Sequence, residues 1–331
     1  MPELKEARFY DRLDHSFVQC RLCPKECRIG DGRAGVCLGR INKGGQLYAR
    51  SYGQVVSMAV DPNEKKPLYH FYPNSDILSI ATYGCNLSCP FCQNAEISKK
   101  EAPGQYLAPK LLAQLARKER SIGIAYTYTE PLVWFEYLMD TCPLVREAGG
   151  KNVLVTNGML NEAPLRELLP HIDALNIDLK SIRPEFYKDF LKGDLETVKN
   201  TIRIAREMCH VELTTLLIPG RNDSEAEIVE LVDFVSGLGS DTVLHFSRYF
   251  PHHDLDLPPT PIESLIRAGE IARRRLHYVY LGNVSEEVGG NNTLCPDCGN
   301  TLVVRRYFGA QVAGVRDARC AKCGRKVDLV L

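Results

Sequence analysis

The feature that most constrains the fold is a regular alternation of short apolar runs and helical patterns between residues 76 and 284. The apolar runs, which read as strands, are 77–84, 123–128, 152–158, 172–180, 210–219, 242–247 and 278–284. Helical patterns such as LAPKLLAQLARKER and EAEIVELVDFVSGL separate them. Repeated strand–helix alternation predicts an α/β fold with a parallel sheet and right-handed crossovers, either rolled like a barrel or open and doubly wound. In both cases the functional side chains are expected at the carboxyl ends of the strands.

Cysteine-rich segments flank this region, and their cysteine spacing bears on the cellular compartment in which the protein is expected. The chain has 331 residues, 13 cysteines and no net charge. Its first residues, MPELKEARFYDRLDHSF, do not resemble a signal peptide, and no apolar run approaches the roughly 18 residues of a membrane span. Tight C-x-x-C groups then favour metal ligands over disulfides. We therefore expect a cytoplasmic metalloprotein with no membrane partner, and the zero charge argues against a long nucleic acid as a partner.

The composition shifts divide the chain into three predicted parts. Residues 1–75 form a cysteine-rich N-terminal segment with short strands, residues 76–288 form the β/α body, and residues 289–331 form a small tail. A glycine- and asparagine-rich linker, VGGNNT, separates the body from the tail.

The loop YGCNLSCPFCQN directly follows the first strand of the body and holds Cys85, Cys89 and Cys92. Three thiolates on one loop can hold three corners of a cubane [4Fe–4S] cluster, which leaves the fourth iron without a protein ligand. An open coordination position is the mark of a catalytic metal centre. The alternative is a structural zinc site completed by a distant histidine, although no histidine lies between His70 and His171.

This loop resembles the signature of the radical S-adenosylmethionine (radical SAM) superfamily. The resemblance implies that the bare iron chelates the amino and carboxylate groups of S-adenosylmethionine (SAM). One electron then releases methionine and a 5′-deoxyadenosyl radical that abstracts hydrogen. Other segments, among them DPNEKKPLYHF, TTLLIPG and LPPTP, resemble the radical enzyme of the AmmeMemoRadiSam system, which is similar to pyruvate formate-lyase activating enzymes. The implied fold is a partial (β/α)6-type radical SAM barrel.

Polar residues at the predicted strand ends are candidates for holding SAM. They are Thr129 and Glu130 in YTYTEP, Thr156 and Asn157 in VLVTNG, Asp178 and Lys180 in NIDLK, and His245 and Arg248 in HFSRYFP. Glu130 could accept hydrogen bonds from the ammonium group, and Lys180 could meet the carboxylate as a point charge. Glu130 resembles the last residue of the superfamily's GGE motif, with Tyr128 and Thr129 in place of the glycines. Asp178 and Lys180 resemble its D-x-K motif.

Two other cysteine groups predict further metal sites. In the tail, two C-x-x-C-G knuckles indicate a zinc ribbon with a closed site of four sulfurs: Cys295, Cys298, Cys320 and Cys323. The front group comprises Cys20, Cys23, Cys27 and Cys37, for which zinc and an auxiliary [4Fe–4S] cluster both remain open. Cys142 and Cys209 fall in helical stretches and are expected to be small buried hydrophobes.

The leading functional prediction is a radical SAM enzyme acting on an unknown substrate. The resemblance implies an electron donor such as flavodoxin or ferredoxin, and Amme-type and Memo-type partner proteins. One alternative is an activating enzyme that abstracts hydrogen from a glycine of a glycyl-radical enzyme. Another is a non-enzymatic zinc-ribbon module that binds RNA or protein, which predicts zinc in all three cysteine groups.

Overall fold

The computed structural model describes residues 4–119, 121–289 and 291–331, and its centre is an eight-stranded sheet. The strands are β1 (Ser57–Pro62), β2 (Asp76–Ala81), β3 (Gly123–Tyr126), β4 (Lys151–Thr156), β5 (Ala174–Asp178), β6 (His210–Leu217), β7 (Val243–Arg248) and β8 (Val279–Gly282). Strands β2 to β8 run parallel, whereas β1 pairs antiparallel with β2. All seven runs predicted as strands are therefore strands of one sheet.

The strands lie side by side in chain order, from β1 at one edge to β8 at the other. A doubly wound sheet reverses its order at a switch point, so this order excludes the doubly wound alternative. When every crossover has the same hand and direction, the connecting helices cover one face of the sheet. Strand β8 brings the parallel strands to seven, one more than a (β/α)6 unit supplies. Curvature of this sheet into a partial barrel remains a prediction.

Among the described residues, seven helices lie between strands of the sheet, as the alternation in the sequence predicts, and an eighth follows β8. They are α1 (Ala95–Ser98), α2 (Pro109–Lys118), α3 (Phe135–Glu147), α4 (Glu162–Leu168), α5 (Leu195–Met208), α6 (Glu225–Leu238), α7 (Ile262–Arg273) and α8 (Glu286–Gly289). Asp194 and Ser224 begin α5 and α6 by accepting hydrogen bonds from the backbone N–H groups three residues ahead. Among the helices of the described residues, none combines the length and the apolar character needed to cross a membrane.

The core lies on both faces of the sheet, which explains why the strands are almost continuously apolar. Ile80, Ile124, Leu154 and Leu175 on successive strands are all completely buried. Strands that are covered on both sides carry few polar residues, and those that occur are hydrogen-bonded. Polar side chains therefore accumulate where the strands end.

The N-terminal segment packs against the body through a buried ion pair. Its strands are Lys5–Glu6, Tyr10–Arg12, Val18–Cys20, Arg28–Ile29, Arg40–Lys43 and Gln46–Ala49, and Gln54–Val55 pairs with Gln105–Tyr106. The Arg40 guanidinium contacts the Glu136 carboxylate on α3, and both side chains are 1% exposed. Residues 57–62, which the sequence placed in this segment, form an edge strand of the central sheet instead, because their backbone pairs with β2 along its whole length.

The tail contains one three-stranded antiparallel sheet, and it is hydrogen-bonded to the segment that joins β1 to β2. Its strands are Thr293–Leu294, Thr301–Arg306 and Gly309–Val312, followed by the pair Val315–Arg316 and Arg319–Cys320. Nδ1 of His70 donates to the carbonyl of Asp328 at 2.7 Å, and the N–H of Tyr72 donates to the carbonyl of Val330 at 2.8 Å. These bonds fix residues 70–72 between the sheet and the tail.

Candidate active site

The three cysteines of the loop after β2 line one cavity of about 660 Å³. Gly84 begins this loop with φ of +94°, a conformation that side-chain-bearing residues rarely adopt, and a Cβ at this position would overlap the carbonyl oxygen of Cys37. Cys89 is buried, and Cys85 and Cys92 are half-buried. The glycine thus lets the loop turn from the strand into the cavity while it touches the N-terminal segment.

The cysteine sulfurs accept hydrogen bonds from three different parts of the chain. The backbone N–H of Leu87 lies 3.4 Å from Sγ of Cys85, and the Asn157 amide nitrogen lies 3.6 Å from the same sulfur. The Ser98 hydroxyl lies 3.2 Å from Sγ of Cys92. Donors aimed at sulfur are the environment that iron–sulfur clusters use for tuning their potentials. The three sulfurs are also not gathered as tightly as the ligands of one ion, so the residues present fit a cluster better than a single zinc.

Glu130 joins the ends of β3 and β4. Its Oε1 accepts hydrogen bonds from the backbone N–H of Leu132 at 2.9 Å and from the Thr156 hydroxyl at 2.6 Å, and its Oε2 accepts from the backbone N–H of Asn157 at 2.8 Å. Burial raises the pKa of Glu130 to about 7. Oε2 has one partner and can accept a second hydrogen bond. Glu130 therefore positions two strand ends and retains an acceptor on the cavity wall.

Asp178 and Lys180 lie at the end of β5 and line the cavity as an ion pair, with 2.9 Å between Oδ2 and Nζ. Burial works against the charge on Lys180, but the Asp178 carboxylate and the Cys89 sulfur outweigh it and raise the lysine pKa above its ordinary value. The ammonium group is therefore held charged beside the three-cysteine loop. The pair presents one positive and one negative group to a ligand.

Seven of the eight residues predicted to contact SAM line the cavity, and Arg248 is not among its lining residues. Nε of Arg248 donates to the carbonyl of Thr260, and its guanidinium covers the ring of Phe250. His245 lines the cavity, and its Nε2 donates to Glu212 at 2.7 Å. Thr129 lines it too, with its hydroxyl bonded to the carbonyl of Thr82.

The floor of the cavity comes from residues that the sequence reasoning did not single out individually. Glu64, Lys66 and Tyr69, from the segment between β1 and β2, line the cavity and are buried. Nζ of Lys66 contacts Asp61 at 2.6 Å and lies 4.6 Å from the ring centroid of Tyr128. The charged run NEKK shortly before the aromatic run YHFY was the sequence signal that could have revealed this floor.

Glu212 anchors the floor to the sheet from the middle of β6. Its carboxylate accepts hydrogen bonds from the backbone N–H groups of Tyr69 and His70 and from the rings of His210 and His245, at 2.7–3.0 Å. Burial alone would raise its pKa, yet the two histidines hold that pKa well below the usual range. A lone carboxylate inside the apolar run HVELTTLL was the available sequence signal.

The tail gathers its four cysteine sulfurs within 4.8 Å of one another. Sγ of Cys295 lies 3.6 Å from that of Cys323, and Sγ of Cys298 lies 3.7 Å from that of Cys320. A tetrahedral zinc with bonds of about 2.3 Å separates its sulfurs by about 3.8 Å, so this donor set fits zinc. The same tail places Tyr307 and Phe308 on the cavity lining.

Comparison with known proteins bears on the three-cysteine loop and the sheet around it. The profile described as "Radical SAM superfamily" matches residues 79–233, a range that includes the three-cysteine loop, Glu130 and Lys180. The chain is 43% identical to the uncharacterized protein MJ0808 of Methanocaldococcus jannaschii, over 99% of this chain and all of that protein. It is 26% identical to the pyruvate formate-lyase-activating enzyme of Clostridium pasteurianum, over 53% of this chain and 74% of the relative.

Among solved structures, a radical SAM methyltransferase from Sphaerobacter thermophilus has a similar fold. The TM-score is 0.51 at 19% identity, over 64% of this chain and 67% of the other. At this identity the likeness concerns the fold alone. The profile match, rather than this likeness, places residues 79–233 in the radical SAM superfamily.

Proposed function

We propose that the chain holds a [4Fe–4S] cluster on Cys85, Cys89 and Cys92 and that it is a radical SAM enzyme of the AmmeMemoRadiSam system. When bound, this cluster supplies the electron that cleaves SAM to methionine and a 5′-deoxyadenosyl radical, which abstracts hydrogen from the substrate. The observation that supports the proposal is one cavity lined both by the three cysteines and by seven of the predicted SAM contacts.

The chain's own residues would orient SAM through complementary charges. Lys180 offers a positive group for the carboxylate of SAM, and Asp178 offers a negative group for its ammonium. Oε2 of Glu130 is a second acceptor for the ammonium on the adjacent strand ends. Asn157, which bonds both Cys85 and Asn86, orients the loop rather than the ligand.

The substrate would occupy the part of the cavity between its floor and the tail. Glu64, Lys66 and Tyr69 form that floor, and Tyr307 and Phe308 of the tail stand beside it with exposed fractions of 84% and 54%. Exposed aromatic side chains at a cavity mouth are suited to contact a partner or a large substrate. We propose Amme-type and Memo-type proteins as partners and a flavodoxin or ferredoxin as the electron donor.

The test is anaerobic incubation of the reconstituted protein with SAM and dithionite, monitored for 5′-deoxyadenosine and methionine by chromatography. We expect equal amounts of both products, and we expect a Cys89→Ala variant to form neither. A Cys209→Ala variant serves as the control, because Cys209 lies outside all three cysteine groups. Product formation by Cys89→Ala at the wild-type rate would refute the proposal. So would a colourless, zinc-only protein after reconstitution, which is the outcome expected of a binding module.

A glycyl-radical activating enzyme is the second candidate, because the chain is similar to the Clostridium pasteurianum activating enzyme over about half its length. This candidate predicts a stable glycyl radical on a partner protein after anaerobic turnover. Electron paramagnetic resonance of mixtures with candidate partners distinguishes the two. Hydrogen abstraction without a radical on the partner favours the first candidate.

A further inference from the structure

The four cysteines of the N-terminal segment meet in one place. Cys20 ends the strand Val18–Cys20, and its N–H bonds the carbonyl of Cys27 at 3.0 Å. The thiol of Cys23 is a near neighbour of Cys20 and Cys27. The thiol of Cys37 is a near neighbour of Cys20 and Cys23. Cys20, Cys23 and Cys37 are buried, whereas Cys27 is half-buried. Four cysteines of one segment gathered in this way are a suitable donor set for a metal centre.

The spacing of these sulfurs differs from that in the tail. Among the 13 cysteines, all of which the structure describes, the tail group is the one whose ligand atoms all lie within 4.8 Å of one another. Neither the N-terminal group nor Cys85, Cys89 and Cys92 reaches that spacing. Each cysteine of a cubane cluster binds a different iron, so its sulfurs stand farther apart than the ligands of one zinc. The N-terminal sulfurs are therefore spaced more widely than the four ligands of the tail group, which favours a cluster over a single zinc ion.

The N-terminal group lies directly beside the three-cysteine loop. The backbone carbonyl of Cys37 approaches Gly84, the residue before Cys85, so closely that a Cβ on Gly84 would overlap it. The Asn86 side chain of the loop neighbours Cys23, and its Oδ1 accepts from the Asn157 amide at 2.9 Å. The same Asn157 nitrogen lies 3.6 Å from Sγ of Cys85. The two cysteine groups are thus neighbours in the fold.

The charges around the N-terminal group suit a cluster that carries electrons. The Arg40 guanidinium is 1% exposed, pairs with the Glu136 carboxylate and also lies 3.8 Å from Sγ of Cys20, so a buried positive group borders the sulfurs. Arg28, which follows the half-buried Cys27 in the chain, and Arg33 are exposed. Exposed arginines near a redox centre favour docking of an acidic electron-carrier protein.

We propose that Cys20, Cys23, Cys27 and Cys37 hold a second [4Fe–4S] cluster and form the entry port for reducing electrons. This inference rests on the proposed function. A reduced flavodoxin- or ferredoxin-type protein gives up one electron and becomes oxidised. That electron then passes to the iron–sulfur site at the three-cysteine loop, with no bond made or broken and no proton transferred.

Metal analysis of a triple variant, Cys85→Ala/Cys89→Ala/Cys92→Ala, tests the site without relying on turnover. After anaerobic reconstitution of the full chain, we expect about four irons and four sulfides per chain, with an iron–sulfur absorption spectrum. Further substitution of Cys20 and Cys37 by alanine should remove this iron. Zinc in place of iron in the triple variant would overturn the inference. If the triple variant does not fold, the wild type decides, since two clusters require about eight irons and one cluster about four.

The entry-port role is tested by the choice of reductant. In a Cys23→Ser/Cys27→Ser variant, we expect flavodoxin-driven reduction of the remaining cluster to fall at least about tenfold, while dithionite, a small reductant, keeps its rate within about threefold. Equal losses with both reductants would refute the port. Failure of the proposed function appears separately, as a wild type that binds iron at both sites yet never cleaves SAM.

Discussion

Lys180 and Asp178 pair across 2.9 Å on the cavity wall beside Cys89, and the aspartate and the sulfur together keep the lysine charged. If Lys180 binds the SAM carboxylate, Lys180→Gln should weaken SAM binding by about ten- to a hundredfold, the range for a charge-assisted hydrogen bond. Isothermal titration of the reconstituted protein measures this change.

Because Lys180→Gln also leaves Asp178 unpaired, the double variant Asp178→Asn/Lys180→Gln is needed to separate stability from affinity. We expect it to regain thermal stability but not SAM affinity. Lys199→Gln is the matched control, since Lys199 pairs with Glu196 at 2.7 Å on α5, outside the cavity. An unchanged dissociation constant in Lys180→Gln would contradict the assigned role.

Glu130→Ala should destabilise the protein strongly, because it leaves three buried donors on Leu132, Thr156 and Asn157 without an acceptor. Each unsatisfied buried donor costs about 1–3 kcal/mol, so we expect a loss of at least about 3 kcal/mol in the free energy of unfolding. Glu162→Ala, at an exposed ion pair, should change it by less than about 0.5 kcal/mol. Anaerobic urea denaturation measures both, and similar losses would show that Glu130 does not hold the strand ends.

Gly84→Ala should distort the contact between the three-cysteine loop and the N-terminal segment. Gly149 has a similar φ of +82° but open space around it, so Gly149→Ala reports the backbone strain alone, about 1 kcal/mol. The overlap of a new Cβ with the Cys37 carbonyl should raise the loss at Gly84 to about 3 kcal/mol and reduce the bound iron. Iron analysis and urea denaturation of both variants measure these two effects. Equal losses of stability and iron at the two glycines would show that the approach of Gly84 to the Cys37 carbonyl does not matter.

Acid should weaken the attachment of the tail through His70. Burial lowers the pKa of His70 from 6.5 to about 4, so the folded state prefers the neutral ring. The stability that this preference gives is complete above pH 6.5 and is lost as the pH falls toward about 4, and it amounts to about 3 kcal/mol. The free energy of unfolding of His70→Gln should depend less on pH in this window. Parallel profiles for the two proteins would exclude His70 as the titrating group.

Loss of a tail cysteine should remove zinc without removing iron. Cys298→Ser opens the group of four sulfurs, and we expect the bound zinc to fall by about one equivalent per chain. Hydrogen exchange at the buried residues Leu302 and Val303 should become faster. Cys209→Ser is again the control, and a Cys298→Ser protein that keeps its full zinc would argue against the zinc site.

The sheet and the cysteine loop were predictable because they depend on local pattern. Alternating apolar runs gave all seven parallel strands, and α6 matches the run EAEIVELVDFVSGL residue for residue. The floor of the cavity was not predictable in the same way, because it depends on tertiary contacts. Glu212 meets Tyr69 from more than 140 positions away in the chain, and no periodicity encodes such a pairing.

At the strand ends, too, the local sequence predicted which residues lie there but not which of them line the cavity. The sequence placed His245 and Arg248 together, since both stand in HFSRYFP, but only His245 lines the cavity. Arg248 ends β7 and turns to the carbonyl of Thr260, a partner in the loop before α7. The run LYARSYGQVVSMAV likewise alternates enough to suggest short strands, while the place of residues 57–62 at the edge of the central sheet depends on pairing with β2.

The hydrogen bond between His70 and Asp328 joins residues 258 positions apart. During synthesis, Asp328 must therefore leave the ribosome before this contact at His70 can form. Residues 70–72, which follow the cavity-lining residue Tyr69, lack this support until then. The attachment of the tail is thus a late step in the folding of this side of the cavity.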